Sequence, residues 1–315
     1  MNEVRYREAM RRLWESLGVT PTERRLHLDR TGATVRVQEI GDGPTVVFVH
    51  GGSIDGTSWA PLVAQLDGFH CVLLDRPGCG LSEPLTAGFD DVERLGIFAD
   101  ALVIDVLDAL GLDRADVVAT SFGGYMALRA AAAHPHRIGR VVEFGWTIGA
   151  PIGRVPLVMR LANVPLVGRL LATVPPNPRA VRAMLRGIGL GQALEAGRIS
   201  QEGLDWFLSL LRDTDTMRNE LRAGPRIMSP IRGWNDRILL PASLLARIQA
   251  PVYFLWGEED PFGGADIARE FVKHIPNAEL ELMPGAGHAV WMDDAEHAAA
   301  ATRKFLWRVS NELPT

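Results

Sequence analysis

Residues 115–133 read ADVVATSFGGYMALRAAAA. The first half, through Ala119, is apolar and β-branched with no polar alternation, which is the pattern of a strand buried on both faces. The second half is rich in alanine, the strongest helix former. The change falls at Ser121, which has Ala119 two residues before it and Gly123 and Gly124 after it. A strand that turns into a helix within so few residues must turn sharply, and small flanking residues let the two elements approach. That strand–turn–helix context, with a serine at its apex, is a nucleophile elbow. The usual pattern is G-x-S-x-G, and Ala119 in the first position is a mild departure because alanine is still small.

Working outward, the same alternation continues in both directions. ERRLHLDR and ATVRVQEI alternate in polarity around Thr31-Gly32 and read as an antiparallel hairpin. PTVVFVHGG and FHCVLLDRPG are further buried runs; RVVEFGW, PVYFLWGEED and AELELMPGAGH follow. Helical stretches, among them DVERLGIFADALVIDVLDALGL, lie between most of them. The expected fold is α/β, a doubly wound and mostly parallel sheet with function on the loops at the strands' C-terminal ends. The alternation breaks from Trp146 to about Trp234, where Pro and Gly recur among short apolar helical pieces with no convincing strand. The division read from this is a core of residues 1–145 and 235–315 and an inserted helical cap of residues 146–234. Residues 1–20 form an N-terminal extension in which Met10, Leu13, Trp14 and Leu17 mark one face of a helix packed on the body.

Composition removes several function classes. Net charge is −5 over 315 residues, so no chain-wide basic field attracts nucleic acid. The longest uncharged runs fall short of the roughly 18 residues a membrane helix needs. The N-terminal MNEVRYREAMRRLW mixes acids and bases without an apolar stretch and does not read as a signal peptide, so a cytoplasmic location is expected. Cys71 and Cys79 flank one strand and are too far apart along it to bond. The chain has no Gly-rich phosphate loop, HExxH or CxxC, and His134-Pro135-His136 lacks further ligands nearby. Neither metal nor cofactor is expected.

Two more residues complete a chemical constellation. Asp260 follows one buried run in WGEEDPF, and His288 follows the next in PGAGH. A serine hydroxyl needs a base to remove its proton, and a carboxylate on the far nitrogen of that base fixes its tautomer. Ser121, Asp260 and His288, in that order on three loop ends of one sheet, supply these roles. Glu143, at the end of the sixth strand, is the competing acid.

With these motifs, from VFVHGGSIDGTSW through LLDRPGCGLSEP and ATSFGG to GAGHAVWMDD, the chain resembles α/β-hydrolase-fold serine hydrolases with a helical cap after the sixth strand. The resemblance spans about residues 23–308. It implies an oxyanion hole formed by the backbone N–H groups of Gly52 and Phe122. Ser53 stands where many relatives carry Pro. The turn holding Asp75, Arg76 and Gly78 resembles the family's fold-holding turn after the fourth strand.

The serine sets the expected chemistry. Relatives that open halides or epoxides use Asp at this position, whereas serine suits acyl transfer. Relatives that cleave C–C bonds of ring-fission products carry HGGGPG, and HGGSIDG lacks the Pro-Gly. The first expectation is therefore hydrolysis of small to medium apolar carboxylic esters through an acyl-enzyme on Ser121. C–C hydrolysis of the meta-cleavage type, lactonase and thioesterase activity are alternatives with the same triad, and a non-catalytic ligand-binding member of the fold is a distant one. The expected partner is a small-molecule ester, and the expected state monomer or homodimer. Candidate pocket residues are His50, which reads as structural or as pocket wall, together with Ser53, Trp146, Leu157 and Leu161. Between Trp146 and Leu194 lie six arginines, Arg154, Arg160, Arg169, Arg179, Arg182 and Arg186, and no acid. The favoured reading is snorkelling from amphipathic cap helices; an anionic substrate or membrane surface is the alternative.

Overall fold

The computed structural model describes residues 1–85, 91–153, 176–220, 228–229 and 233–308. Its main sheet has eight strands: β1 (Thr22–Leu28), β2 (Ala33–Ile40), β3 (Thr45–Val49), β4 (His70–Leu74), β5 (Ala115–Ser121), β6 (Ile138–Thr147), β9 (Val252–Gly257) and β10 (Ala278–Met283), in the order β1-β2-β4-β3-β5-β6-β9-β10. From β4 to β10 every neighbouring pair is parallel. The hairpin strand β2 runs antiparallel to both β1 and β4. The turn into β2 passes through Gly32 at φ +64°, a left-handed conformation that glycine tolerates.

Helices cover both faces, which is why the central strands read as continuous apolar runs. The helices of the core are α1 (Glu3–Ser16), α2 (Ala60–Val63), α3 (Val92–Leu110) and α4 (Phe122–Ala133). Among the described residues of the insertion lie α5 (Pro178–Gly187), α6 (Gly191–Glu195) and α7 (Gln201–Asp213), and residues 216–220 are also helical. The chain then returns to the core through α8 (Ala242–Leu245), α9 (Ala265–Val272), α10 (Val290–Asp293) and α11 (Ala295–Leu306). Side chains alternate across each strand, so β3 sends Val47 and Val49 into the core under α3 and α4. Val46 and Phe48 point to the opposite core, shared with α1, α2, α11 and the helices of the insertion.

The N-terminal helix packs on the body as its periodicity predicts, burying Tyr6, Met10, Leu13 and Trp14. Tyr6 adds a polar anchor absent from the expected apolar face. Its hydroxyl donates to Asp55 Oδ2 and accepts from Trp206 Nε1 at 3.2 Å, tying α1 to both the loop after β3 and helix α7. Two details of the insertion differ from the sequence reading. β6 continues to Thr147, past the expected boundary at Trp146, because Thr147 still pairs with Ser121 at the end of β5. A two-residue antiparallel pair, β7 (Met228–Ser229) with β8 (Gly233–Trp234), is present where no strand was expected; such pieces are too short to leave a period in sequence. Cys71 and Cys79 are both buried and free.

Candidate active site

Loops at the C-terminal ends of parallel strands β3, β4, β5, β9 and β10 carry His50, Arg76, Ser121, Asp260 and His288, whereas Glu143 lies within β6. Ser121 ends β5 and caps α4 at φ +54°, ψ −114°. A non-glycine residue held there stores roughly 1–3 kcal/mol of backbone strain, so the surrounding packing must fix it. Gly123 shows how: a Cβ on it would lie 2.0 Å from the carbonyl oxygen of Val49, so only glycine lets α4 press against the end of β3.

Asp260 and His288 meet directly. His288 Nδ1 lies 2.8 Å from Asp260 Oδ2. The carboxylate also accepts the backbone N–H of Trp146 at 2.8 Å through Oδ2 and that of Phe262 at 3.0 Å through Oδ1. Its side chain is fully buried. With only donors around it, Asp260 is held as an acceptor, and His288 carries its proton on Nδ1. That leaves Nε2 able to accept a proton. The ring is fixed edge-on by Phe262, 4.7 Å away between centroids. The backbone N–H of His288 donates to Ile188 O at 2.9 Å, just past α5. Gly189 and Gly287 lie against each other there, since a Cβ on Gly189 would be 2.7 Å from Gly287 Cα. Among the described residues Ser121 Oγ has no hydrogen-bond partner; serine–base bonds of this kind often tighten only around substrate.

The competing acid does not reach the imidazole. Glu143 is fully buried and neither carboxyl oxygen has a hydrogen-bond partner among the described residues. Burial pushes its carboxyl well above the ordinary range and so favours the uncharged form.

Residues 46–302 match the alpha/beta hydrolase family. The chain belongs to that family. It is 29% identical over 290 residues to a 2-hydroxy-6-oxononadienedioate/2-hydroxy-6-oxononatrienedioate hydrolase of Cupriavidus pinatubonensis, covering 90% of this chain and 89% of the relative. It is 27% identical to a 2-hydroxy-6-oxo-6-phenylhexa-2,4-dienoate hydrolase of Burkholderia cepacia, covering 88% and 91% of the two chains. The fold is also that of a carboxylesterase from Bacillus subtilis, with a TM-score of 0.71, 17% identity and coverage of 97% and 98%.

In this alpha/beta hydrolase the expected pocket residues have mixed fates. His50 is fully buried and both ring nitrogens are engaged, Nδ1 with Gly51 O at 2.7 Å and Nε2 with the backbone N–H of Arg76 at 2.9 Å. It therefore forms no pocket wall. Burial, reinforced by the nearby Arg76 charge, holds its pKa well below the usual imidazole range and keeps it neutral. Trp146 is buried beside Asp260 and packs on Phe262, 5.4 Å between centroids, supporting the acid from behind. Ser53 is half-buried at φ +58°. Proline is locked near −65° and cannot follow that path. Leu157 and Leu161 lie outside the described residues, as do Arg154, Arg160 and Arg169. A cavity of about 410 Å³ runs between α1, α7 and α10, lined by Leu13, Trp206, Phe207 and Trp291 among others, but its lining includes none of Ser121, Asp260 or His288. Among the described residues no cluster of His, Cys, Asp and Glu fits a metal ion, and no helix is long and apolar enough to cross a membrane.

Glu220 gave no chemical signal in sequence, and Arg76 stood out there only as part of a turn resembling the family's fold-holding one. Glu220, from the insertion, lies 3.1 Å from Arg76 Nη2, and Arg76 stacks over Phe122 with 4.7 Å from Cζ to the ring centroid. The pairing joins positions 144 apart in the chain, so no local pattern announces it.

Proposed function

We propose that this hydrolase cleaves the C–C bond of 2-hydroxy-6-oxo-2,4-dienoates through an acyl-enzyme on Ser121. The observation that carries the choice of substrate is the similarity, across nine-tenths of the chain, to hydrolases named for such compounds. Sequence motifs ranked ester hydrolysis first and this reaction as its alternative; the relatives favour the alternative.

The geometry supplies the chemistry as follows. Moving the 2-hydroxyl proton of the dienoate to C5 gives the 2,6-dioxo tautomer. His288 Nε2 takes the Ser121 proton as Oγ adds to the C6 carbonyl, and Asp260 stabilises the resulting imidazolium. The oxygen that becomes negative is held by Gly52 N–H and Phe122 N–H. Phe122 is the first residue of α4, where backbone donors have no partner within the helix. One such donor contributes roughly 3 kcal/mol to the transition state. Collapse breaks C5–C6, and the electron pair delocalises through C4 and C3 onto the 2-oxo oxygen, which takes the proton from His288. Water, deprotonated in turn by His288, releases the C6 acid from Ser121. The products are a carboxylic acid and 2-hydroxypenta-2,4-dienoate, and one water is consumed.

Ester hydrolysis is the second reading, and one observation favours it: the loop reads His50-Gly51-Gly52-Ser53-Ile54-Asp55-Gly56, without the Pro-Gly that C–C hydrolases carry there. The purified protein should be given 2-hydroxy-6-oxo-6-phenylhexa-2,4-dienoate and, separately, p-nitrophenyl acetate and butyrate. Loss of the dienolate absorbance with release of benzoate, at a kcat/KM about 10²-fold above the esters, is the expected result; even a modest change in transition-state contacts spans that range. The reverse ratio would move the assignment to esters.

A further inference from the structure

The loop after β3 places Gly51 directly over the nucleophile, since a Cβ on Gly51 would lie 3.0 Å from Ser121 Cβ. The Gly51 carbonyl accepts two hydrogen bonds, from Arg76 Nη2 and from His50 Nδ1, each at 2.7 Å. Arg76 Nε holds the preceding carbonyl, that of His50, at 3.0 Å. His50 can donate through Nδ1 only because its Nε2 accepts the backbone N–H of Arg76. Every peptide bond of the described chain is trans. In a trans peptide the carbonyl and the following N–H point in opposite directions. Fixing the Gly51 carbonyl toward Arg76 therefore aims the Gly52 N–H away from Arg76, and among the described residues that N–H has no acceptor. The same guanidinium covers the ring of Phe122. Glu220 completes the arrangement: Oε1 accepts from Arg76 Nη2, and Oε2 would lie 3.2 Å from a Cβ on Gly52.

We propose that Arg76 is the positioning residue of the oxyanion hole, clamping the His50 and Gly51 carbonyls so that the Gly52 N–H stays aimed at the reacting carbonyl, and that Glu220 of the inserted segment holds Arg76 in that role. The inference rests on Gly52 being a donor of the hole, as proposed above. Arg76 itself touches no substrate. Its planar fork is what allows one side chain to reach two carbonyls and a carboxylate, which a lysine ammonium does not match.

The test uses Arg76→Ala, Arg76→Lys and Glu220→Gln, with kcat and KM on whichever substrate the wild type turns over, and the rate at which a fluorophosphonate labels Ser121. Because a misaimed donor is lost to the transition state and not to substrate binding, Arg76→Ala should lower kcat about 10²-fold with little change in KM. Labelling should slow in parallel, since the phosphonyl oxygen occupies the same hole. Added guanidinium ion should restore part of the Arg76→Ala rate, and Arg76→Lys should recover little of it. Glu220→Gln should lower kcat by a few-fold, again at constant KM. Arg76→Ala with wild-type kcat, a rise in KM alone, or a loss that guanidinium leaves unchanged would overturn the proposal. Should Arg76→Ala not fold, Glu220→Gln carries the same split, and an unchanged kcat there overturns the latch. If wild-type Ser121 is not labelled, the acyl-transfer reading itself fails; if it is labelled and the Arg76 variants are normal, only this inference does.

Discussion

A methyl group on Gly124 would lie 1.8 Å from Oε1 of Glu143. The second glycine after Ser121 is thus the vacancy into which a fully buried carboxyl fits beneath the elbow. Gly124→Ala should destabilise the protein by about 1–3 kcal/mol through overpacking. Combining it with Glu143→Ala should return part of that stability, as seen in the melting temperature. Equal melting temperatures for wild type and Gly124→Ala would refute the contact.

Ser121→Ala should keep the fold and lose turnover by on the order of 10⁶-fold, the usual effect of removing an acyl-transfer nucleophile. Circular dichroism and steady-state rates on the dienoate and on p-nitrophenyl esters check both halves of this statement. Substantial turnover by the folded variant would place the chemistry elsewhere.

Asp260→Asn should reduce kcat by on the order of 10⁴-fold, because the amide presents a donor where His288 Nδ1–H now donates and so favours the wrong tautomer. Glu143→Gln should be mild by comparison, since among the described residues neither of its carboxyl oxygens bonds to His288. A damaging Glu143→Gln beside a mild Asp260→Asn would reverse the two roles.

Asp293 predicts how stability depends on pH. Burial pushes its carboxyl up to about 6, against which the backbone N–H of Gly287 works by binding the charged form. A raised carboxyl stabilises the fold fully below its unfolded value near 3.9, and that contribution is lost as pH rises through about 6. Asp293→Asn mimics the protonated form at every pH. Relative to wild type it should therefore gain stability between about pH 4 and pH 7, by up to roughly 3 kcal/mol. Melting curves of the pair across that window read the difference directly, and a constant gap would contradict it.

Arg179, Arg182 and Arg186 line α5, whose Val181 and Leu185 are buried while Arg179 and Arg186 are exposed. Among the described residues none of the three arginines has an acidic partner. Changing all three to Gln should leave neutral esters untouched. It should raise KM a few-fold for a dienoate, and salt should erase that defect because exposed charges are screened over about 8 Å. A salt-insensitive loss shared by both substrates would instead mean that the arginines support the helix.

How far the sequence could be read follows from how far each cause reaches along the chain. The buried strands, the elbow at Ser121 and the loop positions of Asp260 and His288 were legible because each is encoded in fewer than ten consecutive residues. The pairing of His288 with Asp260 was also legible, since a base needs an acid and the next loop offers one. What escaped depends on contacts between distant segments. His50 stood open between a structural role and the pocket wall because sequence shows a histidine beside glycines, not the Arg76 amide that engages its far nitrogen. Trp146 was read as lining for the same reason. The roles of Tyr6, Glu220 and Gly124 required knowing what lies opposite them in space.

The bond from His288 N–H to Ile188 O, with Gly189 pressed on Gly287, has a consequence for anyone who would rebuild this enzyme. The helix α5 and the imidazole loop are stitched through their backbones, at a seam where no side chain fits on either side. Transplanting residues 146–234 from another hydrolase would carry away the acceptor that holds the His288 loop. Chimeras should therefore be cut on the far side of Leu190, keeping residues 187–190 native, so that this loop keeps its own scaffold.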